Sequence, residues 1–157
     1  MHRGIRIVNA FSILALAGAL EAQSEVGSWK LNPDKSTYSG VQAPKRVTVT
    51  FQTTDGGVTN HTQGQAGDGS PINFGYSAKY DGTDAAIAGS GAWNGAESVS
   101  LKRIDANTLE ARYKKKGQTV VTSRIAISSD AKVMTVTAQG TGPDGKATEV
   151  HAVYEKH

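Results

Sequence analysis

The internal histidines, His61 and His151, carry the side chain best suited to metal binding and to proton transfer near neutral pH. His61 lies in a polar stretch, and His151 falls on the outward phase of the last predicted strand. A metal or hydrolytic site would need both to converge with carboxylates such as Asp68, Asp84 or Glu149, and no His-x-x-x-His spacing places two ligands on one face. We therefore predict surface histidines, no metal site and no cofactor.

The serines and cysteines give no sign of a catalytic nucleophile. Ser98 and Ser100 occur without the Gly-x-Ser-x-Gly context of a nucleophile elbow. The 157 residues contain no cysteine, which excludes a thiolate nucleophile and a thiolate metal site. Because no pair of titratable residues is placed for proton transfer, the sequence predicts a protein that is not an enzyme.

Tyrosines are the remaining polar candidates, since a phenol can offer a hydrogen bond inside an otherwise apolar interior. Strand alternation gives Tyr76, Tyr113 and Tyr154 the same inward phase as most large apolar residues. We expect them to serve as polar handles in an interior cavity. The complete candidate ligand-binding set is Tyr76, Tyr113, Tyr154, Phe74, Leu101, Arg103 and Met134.

Arg103 has two interpretations. It follows Val99 and Leu101 in phase, so its guanidinium could lie at a barrel rim and meet an anionic head group. An ion pair with Asp105 or Glu97 is an equally good structural account.

Short strands are the elements that position these side chains. The stretches "VTVTF" (47–51) and "INFGYSAKY" (72–80) alternate apolar and polar residues with the period of two that is typical of half-buried strands. Asp-Gly turns such as 55–56 and 81–82 favour tight hairpins, so neighbouring strands are expected to be antiparallel. The other candidate strands are 27–31, 58–65, 85–90, 99–101, 108–113, 119–127, 133–138 and 148–154.

The number and spacing of these strands predict the fold class. About eight to ten strands at short intervals predict an all-β, antiparallel up-and-down β-barrel, with a two-sheet sandwich as the alternative. The last strand, 148–154, keeps an apolar face almost to the end of the sequence, which is expected if it pairs with the first strand, 27–31, to close the ring. A barrel of ten strands would leave an interior cavity, whereas a barrel of eight strands would be filled by its own side chains. The sequence does not decide between a hollow and a filled interior.

The stretch 32–45 offers the only room for a short helix or 3₁₀ turn, in which Asn32 could cap a turn opened by Pro33. Trp93 lies in a second irregular stretch, "AGSGAWNGAES" (88–98), which reads as a flexible or bulged connection. Its indole could form a lid at a portal, or fold back over the barrel mouth as part of the core.

The two ends of this barrel sequence resemble the calycin group, which includes lipocalins and intracellular fatty-acid-binding proteins. The resemblance is carried by "GSWKL" (27–31), the Asp-Gly turns and the ending "HAVYEKH" (151–157), and it is closest to lipocalin-like domains of small secreted bacterial proteins. It implies a barrel that holds a small apolar ligand, with Trp29 plugging one end. Fatty-acid-binding proteins carry an inward Arg-x-Tyr on the final strand, whereas this chain has Ala152 and Tyr154, so a fatty acid is not the expected ligand.

Residues 1–22 have the three-part layout of a secretory signal peptide. A short basic start precedes an apolar run, 7–20, that is too short for a comfortable bilayer span. The alternative is an N-terminal helix packed on the domain. We predict an N-terminal signal helix followed by one β-barrel domain, 23–157.

The charge of the chain is nearly balanced. There are 17 basic and 14 acidic residues, and loss of Arg3, Arg6 and Glu21 with the leader leaves 15 and 13, so no nucleic-acid partner is expected. The basic stretch "YKKKGQ" (113–118) is interpreted as a solvated hairpin tip.

Together these patterns predict a soluble, secreted or periplasmic monomer of bacterial type, without stable membrane insertion, that binds or carries a small apolar or amphipathic molecule. The alternative is a module with a filled core that acts through its surface, for instance as an inhibitor or an envelope-associated domain.

Overall fold

Eleven antiparallel strands form one sheet in residues 23–157, the part of the chain that the computed structural model describes. The strands are β1 (Gly27–Ser39), β2 (Arg46–Thr54), β3 (Gly57–Gln65), β4 (Pro71–Lys79), β5 (Asp81–Ala86), β6 (Ala88–Ser90), β7 (Ser98–Asp105), β8 (Thr108–Lys115), β9 (Gln118–Ile127), β10 (Val133–Thr141) and β11 (Ala147–Lys156). One 3₁₀ turn, Trp93–Gly95, precedes β7. The predicted signal peptide and signal helix fall on residues 1–22, outside the described residues.

The sheet curls into a nearly closed barrel. Its strand order is β5-β7-β8-β9-β10-β11-β1-β2-β3-β4-β6, so the last strand lies beside the first. In this pairing Leu31 is opposite Tyr154 and Trp29 is opposite Lys156. The predicted antiparallel barrel and the predicted pairing of its terminal strands are confirmed.

The two edge strands, β5 and β6, are consecutive in the chain and cover the seam of the barrel. β5 pairs with β7, whereas β6 pairs with β4. Between them the Ile87 N–H donates a hydrogen bond to the carbonyl of Glu97. One segment, 81–90, therefore serves both edges of the sheet.

This seam explains why the strand count exceeds the predicted eight to ten. The sequence pattern gave a single candidate strand at 85–90, but the chain changes its pairing partner near Ile87 and forms two short strands. The predicted hairpin at 81–82 is also wrong, because β5 pairs with β7 instead of β4. Gly82, with a φ of +81°, supports the change of direction that an L side chain would resist.

The stretch 32–45, predicted as a turn region, is largely strand. β1 continues to Ser39, but its register with β11 shifts between Asn32 and Thr37, where the four residues 33–36 on β1 correspond to the single residue Ala152 on β11. Within this bulge the Asn32 side-chain oxygen accepts hydrogen bonds from the backbone N–H groups of Asp34 and Lys35. Asn32 therefore caps a turn, as predicted, but the turn interrupts a strand.

The barrel has two ends, which are named here for the rest of the description. The closed end carries the turns at 55–56, 106–107 and 128–132 and the segment 23–26 that precedes β1; the open end carries the loops 40–45, 66–70 and 91–97. Large side chains such as Trp29 and Leu109 fill the closed end, and small ones such as Ala152 are buried farther up. Within residues 23–157, no helix is long and apolar enough to cross a bilayer.

Candidate ligand-binding cavity

A cavity of about 250 Å³ lies inside the barrel and extends to the open end. It exists because several inward positions on β2, β10 and β11 carry short side chains, which do not reach across the barrel. The apolar walls include Val47, Val49, Phe51, Ile125, Val136, Val150 and Ala152.

Trp93 lies at the mouth of this cavity. Its ring is 6.2 Å from that of Tyr113, centroid to centroid, with the planes inclined by 38°. The next residue, Asn94, has a φ of +49°, and its side-chain nitrogen donates a 2.7 Å hydrogen bond to the carbonyl of Thr141. The 3₁₀ turn is thus tied to the end of β10, and Trp93 folds back over the mouth as a half-buried side chain.

Three phenols project into the cavity from different parts of the barrel wall. Tyr76, Tyr113 and Tyr154 are each 5–6% exposed and line the cavity. Burial raises the pKa of Tyr113 to about 12 and also raises the pKa of Tyr154. For Tyr76, burial and then the neighbouring Tyr113 phenol raise the pKa well above its usual value.

The Tyr76 hydroxyl has no hydrogen-bond partner within residues 23–157. The Tyr113 phenol is close enough to oppose its ionisation, but the two hydroxyls do not have the geometry of a hydrogen bond. Unpaired buried hydroxyls are rare in native proteins because they lose their bonds to water without replacement. The orphaned group is therefore a candidate contact for a bound molecule.

Two further polar residues of the cavity wall come from β3 and were not among the predicted site residues. Thr62 Oγ1 donates a 3.0 Å hydrogen bond to Asn60 Oδ1, and both side chains are buried and line the cavity. The stretch 58–65 was recognised as a strand. Asn60 and Thr62 alternate in phase with the apolar Val58, and this alternation could have identified them as inward-facing residues. Ser123 on β9 is a third missed lining residue.

No charged side chain lines the cavity within residues 23–157. Ala152 occupies the position where the fatty-acid-binding pattern would place an arginine, and it faces the cavity between Val150 and Tyr154. In the described part of the chain the cavity wall is therefore uncharged, and most of its polar side chains carry hydroxyl or amide groups.

The structure brings five of the seven predicted site residues together at the cavity, namely Tyr76, Tyr113, Tyr154, Phe74 and Met134. Leu101 lies outside the lining, because it is fully buried in the packed core opposite Ala111. Arg103 also lies outside it, at the closed end, because its guanidinium is held there by the side chain of Glu25.

The closed end buries an ionic cluster. Arg103 Nη2 lies 2.7 Å from Glu25 Oε1, and Tyr80 donates a hydrogen bond to the same carboxylate oxygen, which is almost fully buried. The fully buried Trp29 donates from Nε1 to the Glu25 carbonyl at 2.8 Å, while Lys156 Nζ lies 4.5 Å from the centre of the indole. The partner of Arg103 is thus Glu25, not the predicted Asp105 or Glu97, whose side chains it does not contact.

The histidines remain apart from both sites. His61 Nε2 is 2.9 Å from Asn73 Oδ1 on the exposed surface, and His151 is exposed on β11. Within residues 23–157 there is no group of three histidine, aspartate or glutamate side chains arranged to hold a metal ion.

Comparison with known proteins gives no match at the level of sequence and a clear match at the level of fold. No protein-family model matches the chain, and no curated protein matches it. The zebrafish ileal bile acid-binding protein, in complex with cholic acid, is 8% identical with a TM-score of 0.50 over 85% of this chain and 99% of that one. At this identity the likeness shows the fold alone, an antiparallel β-barrel.

Two other solved barrels are similar at slightly lower TM-scores. EF1p2_mFAP2b bound to DFHBI is 16% identical, with a TM-score of 0.49 over 87% of this chain and 97% of that one. The redesigned β-barrel mFAP1 bound to DFHBI is 19% identical, with a TM-score of 0.45 over 87% and 98%.

Proposed function

We propose that this protein binds and carries a small, mostly apolar molecule inside its barrel. The observation that carries the proposal is the cavity of about 250 Å³, which has apolar walls and extends to the open end. A dry apolar cavity of about 150 Å³ is enough to bind benzene, so a space of this size can hold a larger molecule. Moving apolar surface from water into such a space is favourable by about 25 cal/mol per Å².

The fold supports the same function. The zebrafish barrel to which this chain is similar is described as a bile acid-binding protein in complex with cholic acid. A barrel of this architecture can therefore enclose a small molecule, although nothing in that likeness transfers the bile acid to this chain. The five cavity-lining candidates, from Phe74 to Tyr154, are proposed as ligand contacts, and Trp29 as the plug that keeps the opposite end closed.

The direct test is binding of a small, uncharged, environment-sensitive dye such as 1-aminonaphthalene to the purified chain. We expect saturable fluorescence enhancement together with a rise in melting temperature, because a ligand that binds only the folded state stabilises it by RT ln(1 + [L]/Kd). Ala152→Leu would fill the cavity from β11 and should abolish both effects. The matched control is Ala126→Leu, which adds the same atoms on the outer face of β9.

The alternative function, a module that acts through its surface, makes the opposite prediction. If 1-aminonaphthalene binds Ala152→Leu as well as it binds the natural chain, the dye occupies the surface and the cavity proposal is wrong. If no neutral probe binds at all, the surface module becomes the better account.

We also propose that the chain is exported as a monomer and that residues 1–22 are removed. The proposed export and cleavage rest on the sequence layout of those residues. N-terminal sequencing of protein recovered from the periplasm of a bacterial host should give a chain that starts at or within two residues of Gln23. An intact N-terminus on cytoplasmic protein would contradict export.

A further inference from the structure

The polar groups of the cavity restrict the chemistry of what can bind there. We propose that the ligand is an uncharged molecule that carries a hydrogen-bond-accepting oxygen, such as a ketone, ester or quinone carbonyl, held against the Asn60 amide and the phenols of Tyr76 and Tyr113. The inference rests on the proposed binding function and narrows its ligand class.

The absence of charge is the first argument. No aspartate, glutamate, lysine, arginine or histidine lines the cavity within residues 23–157. Glu25 and Arg103 are paired with each other at the closed end, and neither lines the cavity. Because an ionised group loses far more solvation on burial than a neutral hydrogen bond returns, a carboxylate or an ammonium would be rejected.

The excess of donors is the second argument. The Thr62 hydroxyl occupies Asn60 Oδ1, and no other side-chain hydrogen bond of Asn60 occurs within residues 23–157, so its two N–H donors remain to be used. Tyr76 lies directly opposite Asn60 on β4, and its hydroxyl is unpaired. Tyr113 comes from β8, on the other side of the seam, and its phenol is near that of Tyr76. An oxygen with two lone pairs placed among these groups would satisfy donors that the protein itself leaves unpaired.

The volume of the cavity and its aromatic walls restrict the size and shape of the ligand. A cavity of about 250 Å³ with Trp93 at its mouth and Phe74 in its wall suits one or two rings, about ten to fifteen non-hydrogen atoms. Aromatic side chains provide broad flat surfaces against which such rings can pack. The ligand is thus described as a compact, neutral, ring-containing molecule with a carbonyl group.

Three probes with one ring system separate these features. Methyl 2-naphthoate is neutral and has a carbonyl, 2-ethylnaphthalene is neutral without one, and 2-naphthoate is anionic at pH 7. Equilibrium dialysis against the full chain should show the ester binding about three- to tenfold more tightly than the hydrocarbon, the effect of one net hydrogen bond. The anion should bind at least thirtyfold more weakly than the ester.

Variants locate the preference. In Asn60→Leu the affinity for the ester should fall to that for the hydrocarbon, and the affinity for the hydrocarbon should not change. Tyr76→Phe should also reduce the ratio of the ester affinity to the hydrocarbon affinity. Gln63→Leu removes an amide from the same strand on its exposed face, and it should change neither value.

The outcomes distinguish this inference from the proposed function. If the hydrocarbon or the anion binds as tightly as the ester, the cavity is a binding site but the acceptor chemistry is wrong. If Asn60→Leu and Tyr76→Phe both keep the full preference for the ester, the assigned donors are wrong. If none of the three probes binds although the dye does, the ligand class proposed here is wrong; if the dye does not bind either, the proposed function itself fails.

Discussion

The closed end of the barrel buries a charged carboxylate, that of Glu25, whereas among residues 23–157 the polar side chains that line the cavity below the open end are neutral. At the closed end, Glu25, Arg103 and Tyr80 form a paired cluster beside the fully buried Trp29. In the cavity below the open end, the polar contacts are hydroxyls and amides, and one of them, the Tyr76 hydroxyl, is unpaired.

We infer from this difference that the closed end mainly stabilises the fold, whereas the cavity below the open end serves ligand binding. Polar groups at the closed end bond to one another, so they hold the segment 23–26 across the barrel, and they do not line the cavity. The cavity retains unused donors and unfilled volume, both of which cost stability in the empty protein. We therefore expect damage to the closed end to unfold the protein, and damage to the open end to alter binding.

The two tryptophans give the largest expected contrast. Trp29→Ala removes a fully buried indole and its hydrogen bond to Glu25, and should lower the free energy of unfolding by about 4 kcal/mol. Trp93→Ala removes a half-buried indole at the mouth and should cost less than about 2 kcal/mol while weakening probe binding. Urea unfolding of both variants measures the difference. Equal losses would mean that the open end supports the fold as strongly as the closed end.

The ion pair gives the next largest effect. Arg103→Met leaves the Glu25 carboxylate buried with Tyr80 as its remaining side-chain partner, and should lower the free energy of unfolding by about 3 kcal/mol. Neutralising that carboxylate in the double variant with Glu25→Gln should recover a substantial part of the loss, because the buried group is then no longer charged. Binding of the methyl 2-naphthoate probe should be unchanged in any variant that remains folded.

The double variant also serves as the check on this interpretation. If Arg103→Met and Glu25→Gln lower stability additively, the two side chains do not interact in the folded protein and the cluster is not the clamp described here. If Arg103→Met weakens probe binding at constant stability, Arg103 contributes to the cavity after all, as the sequence interpretation first suggested.

Much of this architecture could be predicted because strand alternation is a local signal. The period of two in 72–80 and 148–154 identified both strands and their inward faces, and the closing pair of β1 and β11 followed from the apolar end of the chain. The seam could not be predicted, because whether 81–90 pairs with β4 or with β7 depends on where the barrel fails to close. That property belongs to the whole sheet and not to the segment.

Most of the predicted site residues that line the cavity are aromatic, whereas the lining residues that were missed, such as Asn60 and Thr62, are small and polar. Tyr76 and Tyr113 were recognised because the large apolar ring of a phenol favours an inward position. Asn60 and Thr62 have small polar side chains, and only their alternation with Val58 indicates that they face inward. Arg103 was misplaced for a different reason. Its phase was right, but its partner Glu25 lies 78 residues away in a segment that shows no strand pattern.

The smallest expected effect concerns the buried phenols. An unfolded tyrosine ionises near pH 10, whereas burial raises the pKa of Tyr113 to about 12. Between pH 10 and pH 12 the folded state therefore keeps the Tyr113 proton, whereas the unfolded state loses it. The stabilisation that is fully present below pH 10 is lost as the pH rises through this interval. At pH 11 this residue alone should cost about 1.4 kcal/mol relative to pH 8. Between pH 8 and pH 11 the free energy of unfolding should therefore decrease by about 1.4 kcal/mol less in Tyr113→Phe than in the natural chain.

The matched control is Phe74→Leu, which alters the same cavity without changing an ionisable group. It should lower stability by the same amount at pH 8 and at pH 11, since its effect comes from packing alone. Tyr76 and Tyr154, whose pKa values are also raised, remain in both variants, so the difference between the variants reports the loss of the Tyr113 phenol together with its effect on these two neighbours. If Tyr113→Phe is as sensitive to alkali as Phe74→Leu, the Tyr113 hydroxyl is in contact with water in the folded protein. The cavity would then be wet at its mouth, and its preference for apolar ligands correspondingly weaker.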